Sequence, residues 1–277
     1  MQFLAPAKVN LSLRVLGRRA DGFHELDSLM VRVSVFDVLE IERTSSGGLE
    51  FSCDAPDVPV DDGNLVVRAA RLFCATTGAA PDLRIHLGKT IPHGGGLGGG
   101  SSDAASTLLA LNAIFGLGLP KDTLAGMGAQ IGSDVPFFVY ESDARIGGRG
   151  EVVTPVPSVG KIPLLLVKPP FGVPTPWAYQ HWSSSVQLPG VRYAPQSIGE
   201  LVLENDLERP VFEKFLFLAD LKEWLLRQPE VDGALLSGSG ATVFSVLKAG
   251  ANAEELAEKI TVEFGPEIWI RECQTLD

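Results

Sequence analysis

The sequence predicts an α+β protein in two domains, and three observations carry that prediction. Its 277 residues exceed what one hydrophobic core ordinarily serves. Short β-branched or alternating stretches are interspersed with longer patterns of helical period. A proline-bearing segment, residues 154–163, separates two apolar patterns and has the most linker-like composition in the middle of the chain. The boundary is set there, giving domains over 1–157 and 158–277.

Strands are expected around 8–16, 29–42 and 83–88, where apolar and polar residues alternate, and a helical pattern spans 64–76. A second helix is expected from near Ser102 to Phe115, with Ala105, Leu108, Leu109 and Phe115 suited to one buried face, and Gly116, Gly118 and Pro120 end it. Beyond the boundary the pattern predicts a strand at 164–168, a helical stretch at 211–227, strands at 233–237 and 242–247, and a helix at 252–264. The apolar run from Ile162 to Val173 is interrupted by Lys168 and by Pro163, Pro169 and Pro170, so it reads as a buried strand ending in a loop and not as a membrane span.

Composition narrows the function classes. Hydrophobic residues make up 45% and charged residues 21%, which suits a globular enzyme and excludes a disordered chain. With 23 Lys and Arg against 34 Asp and Glu, the formal charge of -11 repels polyanionic backbones, so no nucleic-acid partner is expected. A mononucleotide is still compatible, because local cations and backbone N–H groups outweigh a distant net charge. Cys53, Cys74 and Cys273 are odd in number and far apart, giving neither a disulfide framework nor a CxxC pair. Together with a start that lacks the pattern of a secretion signal, this predicts a cytoplasmic protein with no membrane partner.

The most specific signal is the run Pro92, His93, Gly94, Gly95, Gly96, Leu97, Gly98, Gly99, Gly100, Ser101, Ser102, which packs six glycines into seven positions just before a helix. Glycine lets successive N–H groups converge on an anion and permits close approach, and a helix N-terminus adds the positive end of its dipole. Phosphate is the expected ligand. Gly94, Gly96 and Gly99 formally satisfy G-x-G-x-x-G, but Lys89 to His93 intervene after the strand, where a dinucleotide fingerprint would turn tightly. Gly88-Lys89-Thr90 resembles the end of a Walker A loop, yet position 83 is Leu and Pro92 obstructs the helix that should follow.

Two side chains outside the loop stand out. Lys8 is a lone cation in an otherwise apolar first strand, which is costly unless it is paired or lies on a solvated edge. Asp134 is a polar break between Gly132-Ser133 and the apolar run Phe137 to Tyr140, in a context that suits either a cap or a catalytic carboxylate.

The glycine run resembles the phosphate loop of the kinase superfamily named for galactokinase, homoserine kinase, mevalonate kinase and phosphomevalonate kinase. Within it, Pro6-Ala7-Lys8-Val9-Asn10-Leu11, Arg18-Arg19-Ala20-Asp21-Gly22-Phe23-His24-Glu25-Leu26 and Gly132-Ser133-Asp134-Val135-Pro136 resemble the 4-diphosphocytidyl-2-C-methyl-D-erythritol kinase family of the non-mevalonate isoprenoid pathway. The resemblance continues through Asn64 to Ala70, Pro174-Thr175, Asn205-Asp206-Leu207-Glu208 and Ser237-Gly238-Ser239-Gly240-Ala241, covering nearly the whole chain in order.

That resemblance implies a two-domain fold with a ribosomal-S5-like N-terminal domain, containing a left-handed βαβ crossover, and a ferredoxin-like C-terminal domain. It implies ATP-dependent phosphorylation of the 2-hydroxyl of a cytidine diphosphate derivative, with ATP and Mg2+ as cofactors, by a monomer or homodimer. It assigns Asp134 to the hydroxyl proton and places Lys8 beside it, to lower the pKa of the substrate hydroxyl or stabilise charge on the transferring group; pairing with Asp134 would also answer the cost of a cation in an apolar strand. Asn64 and the loop from Pro92 to Ser102 would hold ATP; Asn10, Phe23, His24, Thr175, Tyr179 and Gly238 would meet the substrate or the reacting phosphates. Ser101 and Ser102 would contact phosphate oxygens or the metal, whose protein ligands no carboxylate cluster identifies. Phe23 departs from the family, which usually has Tyr there: the ring still stacks on a base, but a phenol hydroxyl is lost. Other members of the superfamily, acting on mevalonate, homoserine or a sugar, are the alternative, as is a catalytically silent nucleotide-binding regulator. Phe23-His24 argues against the first, since a small aliphatic substrate needs no base platform, and retention of Lys8 and Asp134 argues against the second.

Overall fold

Sequence alternation builds the chain into two sheets stacked face to face, with helices on both outer faces. The computed structural model describes residues 1–45 and 47–277. Its first part comprises β1 (Gln2–Arg18), β2 (His24–Arg43), β3 (Leu49–Cys53), α1 (Leu65–Thr77), β4 (Leu83–Gly88), α2 (Gly99–Phe115), α3 (Lys121–Gly128), α4 (Val135–Tyr140), β5 (Ala144–Gly147) and β6 (Val152–Pro155). The remainder comprises β7 (Pro163–Lys168), α5 (Thr175–His181), β8 (Gln196–Ile198), β9 (Leu201–Asn205), α6 (Glu208–Lys214), α7 (Leu216–Leu225), β10 (Val231–Leu236), β11 (Val243–Leu247), α8 (Ala253–Phe264) and β12 (Trp269–Gln274).

The larger sheet runs β3-β4-β2-β1-β9-β8, with β5 also on β2 and β6 on β5. Its spine is the long antiparallel pair β1 and β2, whose register shifts near Pro6, Asn10 and Val15 bend it. The smaller sheet, β10-β11-β7-β12, is antiparallel throughout. Period two explains the layering. Leu164 and Leu166 of β7 and Phe244 and Val246 of β11 face Ala7, Val9, Val31 and Val33 of the larger sheet, while Leu165, Val167 and Val243 face Phe212, Leu221 and Leu256 of the helices behind. On the other side, Leu39, Ile41, Ile85 and Leu87 pack under Phe73, Leu108 and Phe137.

Strands from beyond residue 158 enter the larger sheet. β9 pairs parallel with β1 at Ser12–Glu204 and Leu13–Asn205, and the C-terminal tail bridges to Val33 through Thr275. The expected helix at 211–227 is two helices, because Phe215 leaves helical geometry (φ -111°, ψ 70°) and stacks on Phe171 at 5.7 Å. The helix expected from Ser102 starts at Gly99, since Gly98 in the left-handed region (φ 72°) serves as its N-cap. Among the described residues no helix is long and apolar enough to cross a membrane.

Candidate active site

The glycine run follows β4 and enters α2 with its carbonyls secured by β1 and by the turn between β10 and β11. Leu97 O accepts from Lys8 N of β1 at 2.9 Å, Gly95 O from Thr242 N at 3.1 Å, and Gly96 O from the Ser237 hydroxyl at 3.0 Å. Among the described residues, the backbone N–H groups of 96–101 meet no protein acceptor. The loop thus turns its donors to one side, which is the arrangement of an anion nest ahead of a helix N-terminus.

Close approach, more than ligand space, demands glycine at two of these positions. A Cβ on Gly96 (φ 74°) would lie 2.2 Å from Ser237 O, and one on Gly98 (φ 72°) would lie 2.9 Å from Phe138 Cζ and 3.0 Å from Lys8 Cγ. At Gly94 (φ 66°) the nearest atom would be 3.9 Å away.

A buried ion cluster that sequence reading missed fixes the start of α2. Lys89 pairs with Asp37 and, at 2.9 Å, with Asp103 in the first turn of the helix. Asp37 also accepts from the N–H groups of Thr90 at 2.6 Å and Ile91 at 2.8 Å. Lys89 is therefore committed to carboxylates and does not behave as a Walker lysine. Burial, reinforced by nearby Asp37 and opposed by Lys89, pushes the Asp103 carboxyl up to about 7. The only sequence signal was charge in an apolar context: Asp37 within the second strand, and Asp103 on the expected helix.

At the junction of the sheets, Lys8 Nζ donates to Asn10 Oδ1 at 2.5 Å, Asn10 Nδ2 donates to Ser28 Oγ at 2.8 Å, and Ser28 donates to Ser12 O. Lys8 and Asn10 share a strand face, as their spacing requires. Burial lowers the Lys8 pKa, and the Asp134 carboxylate partly offsets it. The expected direct pairing of Lys8 with Asp134 is corrected: no such ion pair forms among the described residues, because the amide of Asn10 satisfies the ammonium instead. Asp134 precedes α4 but makes no side-chain capping bond, so its carboxylate is not used as a cap.

The tight turn at Ser237–Gly240 hangs over this pair, and a Cβ on Gly238 would lie 3.3 Å from Lys8 Nζ. Asn205 holds the turn, donating to Leu236 O at 2.7 Å and Gly238 O at 2.8 Å. Its neighbours complete the scaffold: Asp206 accepts from Val15 N at 2.8 Å, and buried Glu208 accepts from Leu236 N and pairs with Lys222 at 2.6 Å. The Asn205-Asp206-Leu207-Glu208 motif therefore positions the site from behind.

Aromatic groups gather at the opposite end. His24 stacks on Tyr179 with ring centroids 5.6 Å apart and meets the Trp182 edge at 6.0 Å. Burial and Arg18 hold the His24 pKa below its ordinary value, favouring neutral imidazole with one donor and one acceptor. A base inserted between two rings needs about 7 Å, at the upper end of stacking separations, so this pair is a continuous wall and not a slot. Phe23 is half exposed under the Arg149 guanidinium, 4.9 Å from its centroid. Thr175 and Ser239 share a hydroxyl hydrogen bond of 2.7 Å.

The nest, the Lys8–Asn10 pair, Phe23 and the His24–Tyr179 wall border one cavity of about 660 Å³. It brings together Lys8, Asn10, Phe23, His24, Asn64, Pro92 to Ser101, Asp134, Thr175, Tyr179 and Gly238. Of the expected residues, Ser102 falls outside: its hydroxyl is buried without a hydrogen-bond partner among the described residues, since the helix begins earlier than expected and turns it inward. Asn64 borders the cavity while also capping α1, its side chain accepting from Val66 N at 2.8 Å.

Comparison with known proteins gives consistent relatives. Residues 64–142 match the GHMP kinases N terminal domain and residues 193–267 the GHMP kinases C terminal domain. The 4-diphosphocytidyl-2-C-methyl-D-erythritol kinase of Methylacidiphilum infernorum is 40% identical over 281 residues, covering 99% of this chain and 96% of that protein. That of Syntrophotalea carbinolica is 39% identical, covering 95% of each. A crystal structure of 4-(cytidine 5'-diphospho)-2C-methyl-D-erythritol kinase superposes with a TM-score of 0.82 at 35% identity over both full chains. A homoserine kinase from Cytophaga hutchinsonii, 17% identical with a TM-score of 0.72 over 98% of this chain and 93% of that one, shares the fold.

Proposed function

The chain belongs to the 4-diphosphocytidyl-2-C-methyl-D-erythritol kinase family of the GHMP kinases, and from that premise we propose how its residues perform the reaction. It is an ATP-dependent small-molecule kinase that phosphorylates the 2-hydroxyl of 4-diphosphocytidyl-2-C-methyl-D-erythritol in isoprenoid biosynthesis. The observation that carries the residue assignments is that one cavity is lined by the backbone anion nest and the aromatic wall, with Lys8 packed against Gly98 of the nest and Asp134 within electrostatic reach of both Lys8 and Tyr179.

The phosphates of ATP take the free N–H groups of 96–101, with the nucleoside toward Asn64. Cytosine stacks on Phe23 and hydrogen-bonds to His24, with Tyr179 backing the histidine. The substrate hydroxyl oxygen attacks the γ-phosphorus, the bond to the ADP oxygen breaks, and the hydroxyl proton passes to Asp134. Lys8, steered by Asn10, stabilises negative charge on the transferring group.

Magnesium fits as an ion carried largely by the nucleotide. Among the described residues no three acidic, histidine or cysteine side chains form a cage, while the Ser101 hydroxyl borders the cavity at the nest and is the oxygen that would hold it. When bound, it neutralises charge on the phosphates. Residues 1–157 supply the nucleotide side together with Lys8, Asp134, Phe23 and His24, and 158–277 add Thr175, Tyr179 and Gly238 on the substrate side, in a protein that acts in the cytoplasm.

The test is direct. Purified protein with ATP and magnesium is offered the cytidine substrate, mevalonate, homoserine and galactose separately, and the product is identified by mass and phosphorus NMR. Phosphorylation of the cytidine substrate alone is expected; turnover of another acceptor in its place would overturn the assignment.

A further inference from the structure

The side chains of Lys8, Lys89 and Arg149 bring three cations to the cavity. Two are committed. Lys8 is engaged by Asn10 beside Asp134, and Lys89 is held between Asp37 and Asp103. Among the described residues, the Arg149 guanidinium lies over the face of Phe23, has a long contact to Glu151, 4.0 Å, and a through-space attraction to the exposed Asp21 carboxylate, and hydrogen-bonds to no carboxylate. An exposed pair at that distance is worth little, so its charge remains available.

The position of Arg149 is fixed by its backbone. It sits at the tip of the β5–β6 hairpin, where Gly148 O accepts from Leu26 N at 2.8 Å and Gly148 N donates to Glu25 at 3.1 Å. The hairpin is thereby tied to the strand that begins at His24. The next residue, Gly150, faces the catalytic side: a Cβ there would lie 3.4 Å from Ser133 Cβ and 4.0 Å from Asp134 Oδ1. Arg149 therefore spans the interval between Asp134 and the Phe23 ring.

That interval has a chemical requirement. In the proposed substrate a diphosphate joins the cytidine to the polyol whose hydroxyl reacts, so with cytosine at Phe23 and the hydroxyl at Asp134 the diphosphate must cross it. It enters a protein of formal charge -11, past the Asp134 carboxylate. We propose that Arg149 is the specificity residue that pairs with the substrate diphosphate, an assignment that rests on the cytidine-substrate reading above. A guanidinium presents a planar fork of donors that matches phosphate oxygens, and its face keeps Phe23 in place while its edge meets the anion.

Turnover of the cytidine substrate by the parent protein is measured first and tests the functional reading by itself. Cytidine and cytidine diphosphate are then titrated calorimetrically into the parent, Arg149→Ala and Arg149→Lys, each saturated with a non-hydrolysable ATP analogue so that the nucleotide end is filled. The parent is expected to prefer the diphosphate by about tenfold or more, as charge-assisted pairing provides. Arg149→Ala should bring the two ligands within about threefold while the KM for ATP stays put, and Arg149→Lys should restore part of the preference. A parent without the preference, or Arg149→Ala retaining it, overturns the proposal. Equal weakening of both ligands also overturns it, because Arg149 would then act only by holding Phe23. If the parent phosphorylates the cytidine substrate while Arg149→Ala keeps the preference, the Arg149 assignment alone falls.

Discussion

The glycine-loop end of the cavity presents backbone N–H groups, whereas the Phe23 end presents side chains. At the first, carbonyls are tied down by Lys8, Ser237 and Thr242, and Lys89 locks the helix start between two buried carboxylates. At the second, a half-exposed phenylalanine, a stacked histidine and tyrosine, and an arginine on a hairpin tip share a rim. Backbone donors read only charge and shape, which suits a phosphate common to many reactions. Side chains read a particular base. The difference separates what makes the protein a kinase from what selects its acceptor, and substitutions should divide the same way.

The largest effects belong to the two catalytic groups. Asp134→Ala and Lys8→Ala should each lower turnover by about 10² or more while ATP affinity and melting temperature change little, as removal of a positioned proton acceptor or charge stabiliser does. Steady-state kinetics alongside calorimetry checks this; turnover within a few-fold of the parent would remove either residue from the mechanism.

Next comes the backbone end, where two glycines separate packing from conformation. Gly96→Ala puts a methyl against Ser237 O and is expected to cost about 2 to 4 kcal/mol in denaturant titration, with ATP binding weakened too. Gly94→Ala makes only an ordinary contact, 3.9 Å from Gly172 Cα, and should cost only the left-handed backbone, about 1 to 2 kcal/mol. Equal costs would mean that the contact between loop and turn does not constrain Gly96.

The same contrast explains what the sequence disclosed. The α+β class was legible because the long period-two strand β2 and the amphipathic helices α1 and α8 carry strong patterns, whereas the entry of β8 and β9 into the larger sheet rests on pairing between distant segments. Short elements such as β5, β6, β8 and α5, of three to seven residues, carry too few positions for a period to show. The break at Phe215 was invisible because no proline or glycine marks it. The glycine loop announced its chemistry locally, since six glycines before a helix serve few other purposes. By contrast, Asp37 lies 52 residues before Lys89 and reaches it and Asp103 only because β2 pairs with β4, and Asn205 acts on a turn more than thirty residues away. Residue resemblance supplied Phe23, His24 and Tyr179; neither it nor periodicity could supply the tie between Arg149 and Phe23, which depends on hairpin placement.

The ion cluster gives a pH test of the rigid end. Asp103 moves from an ordinary 3.8 to about 7 in the folded protein, so the folded state retains a proton that the unfolded chain releases. That stabilisation is complete below about pH 4 and is lost as pH rises to about 7. Asp103→Asn removes the titration, so the parent should lose about 1 to 4 kcal/mol relative to the variant across that window and nothing further above it. Denaturant titrations at pH 4, 5.5, 7 and 8 measure it; a pH-independent difference would mean Asp103 titrates normally.

At the side-chain end the expected effects are smaller and confined to the acceptor. His24→Ala should weaken the cytidine substrate by about 1 to 3 kcal/mol, the cost of an unsatisfied polar partner, and Phe23→Ala by a similar amount through lost base stacking. ATP should be nearly unaffected by either. Parallel weakening of ATP would indicate a folding defect, and unchanged substrate binding in both would move the base elsewhere in the cavity.

The smallest effect is the most discriminating. Phe23→Tyr restores the hydroxyl that this family usually carries, on a ring that is half exposed and already has Arg149 across one face. If the ring serves only as a stacking surface, the hydroxyl projects from an edge that water can solvate, and KM for the cytidine substrate should stay within about twofold, since a solvated hydroxyl gains little net free energy. If the hydroxyl finds an acceptor on the substrate, KM should fall by roughly five- to tenfold, the worth of about one net hydrogen bond. The exposure of Phe23 favours the first outcome. A rise in KM beyond about threefold would contradict both, because it would require the ring edge to be packed against apolar groups when cytosine binds, and the rim of the cavity would then close around the base instead of merely presenting a platform to it.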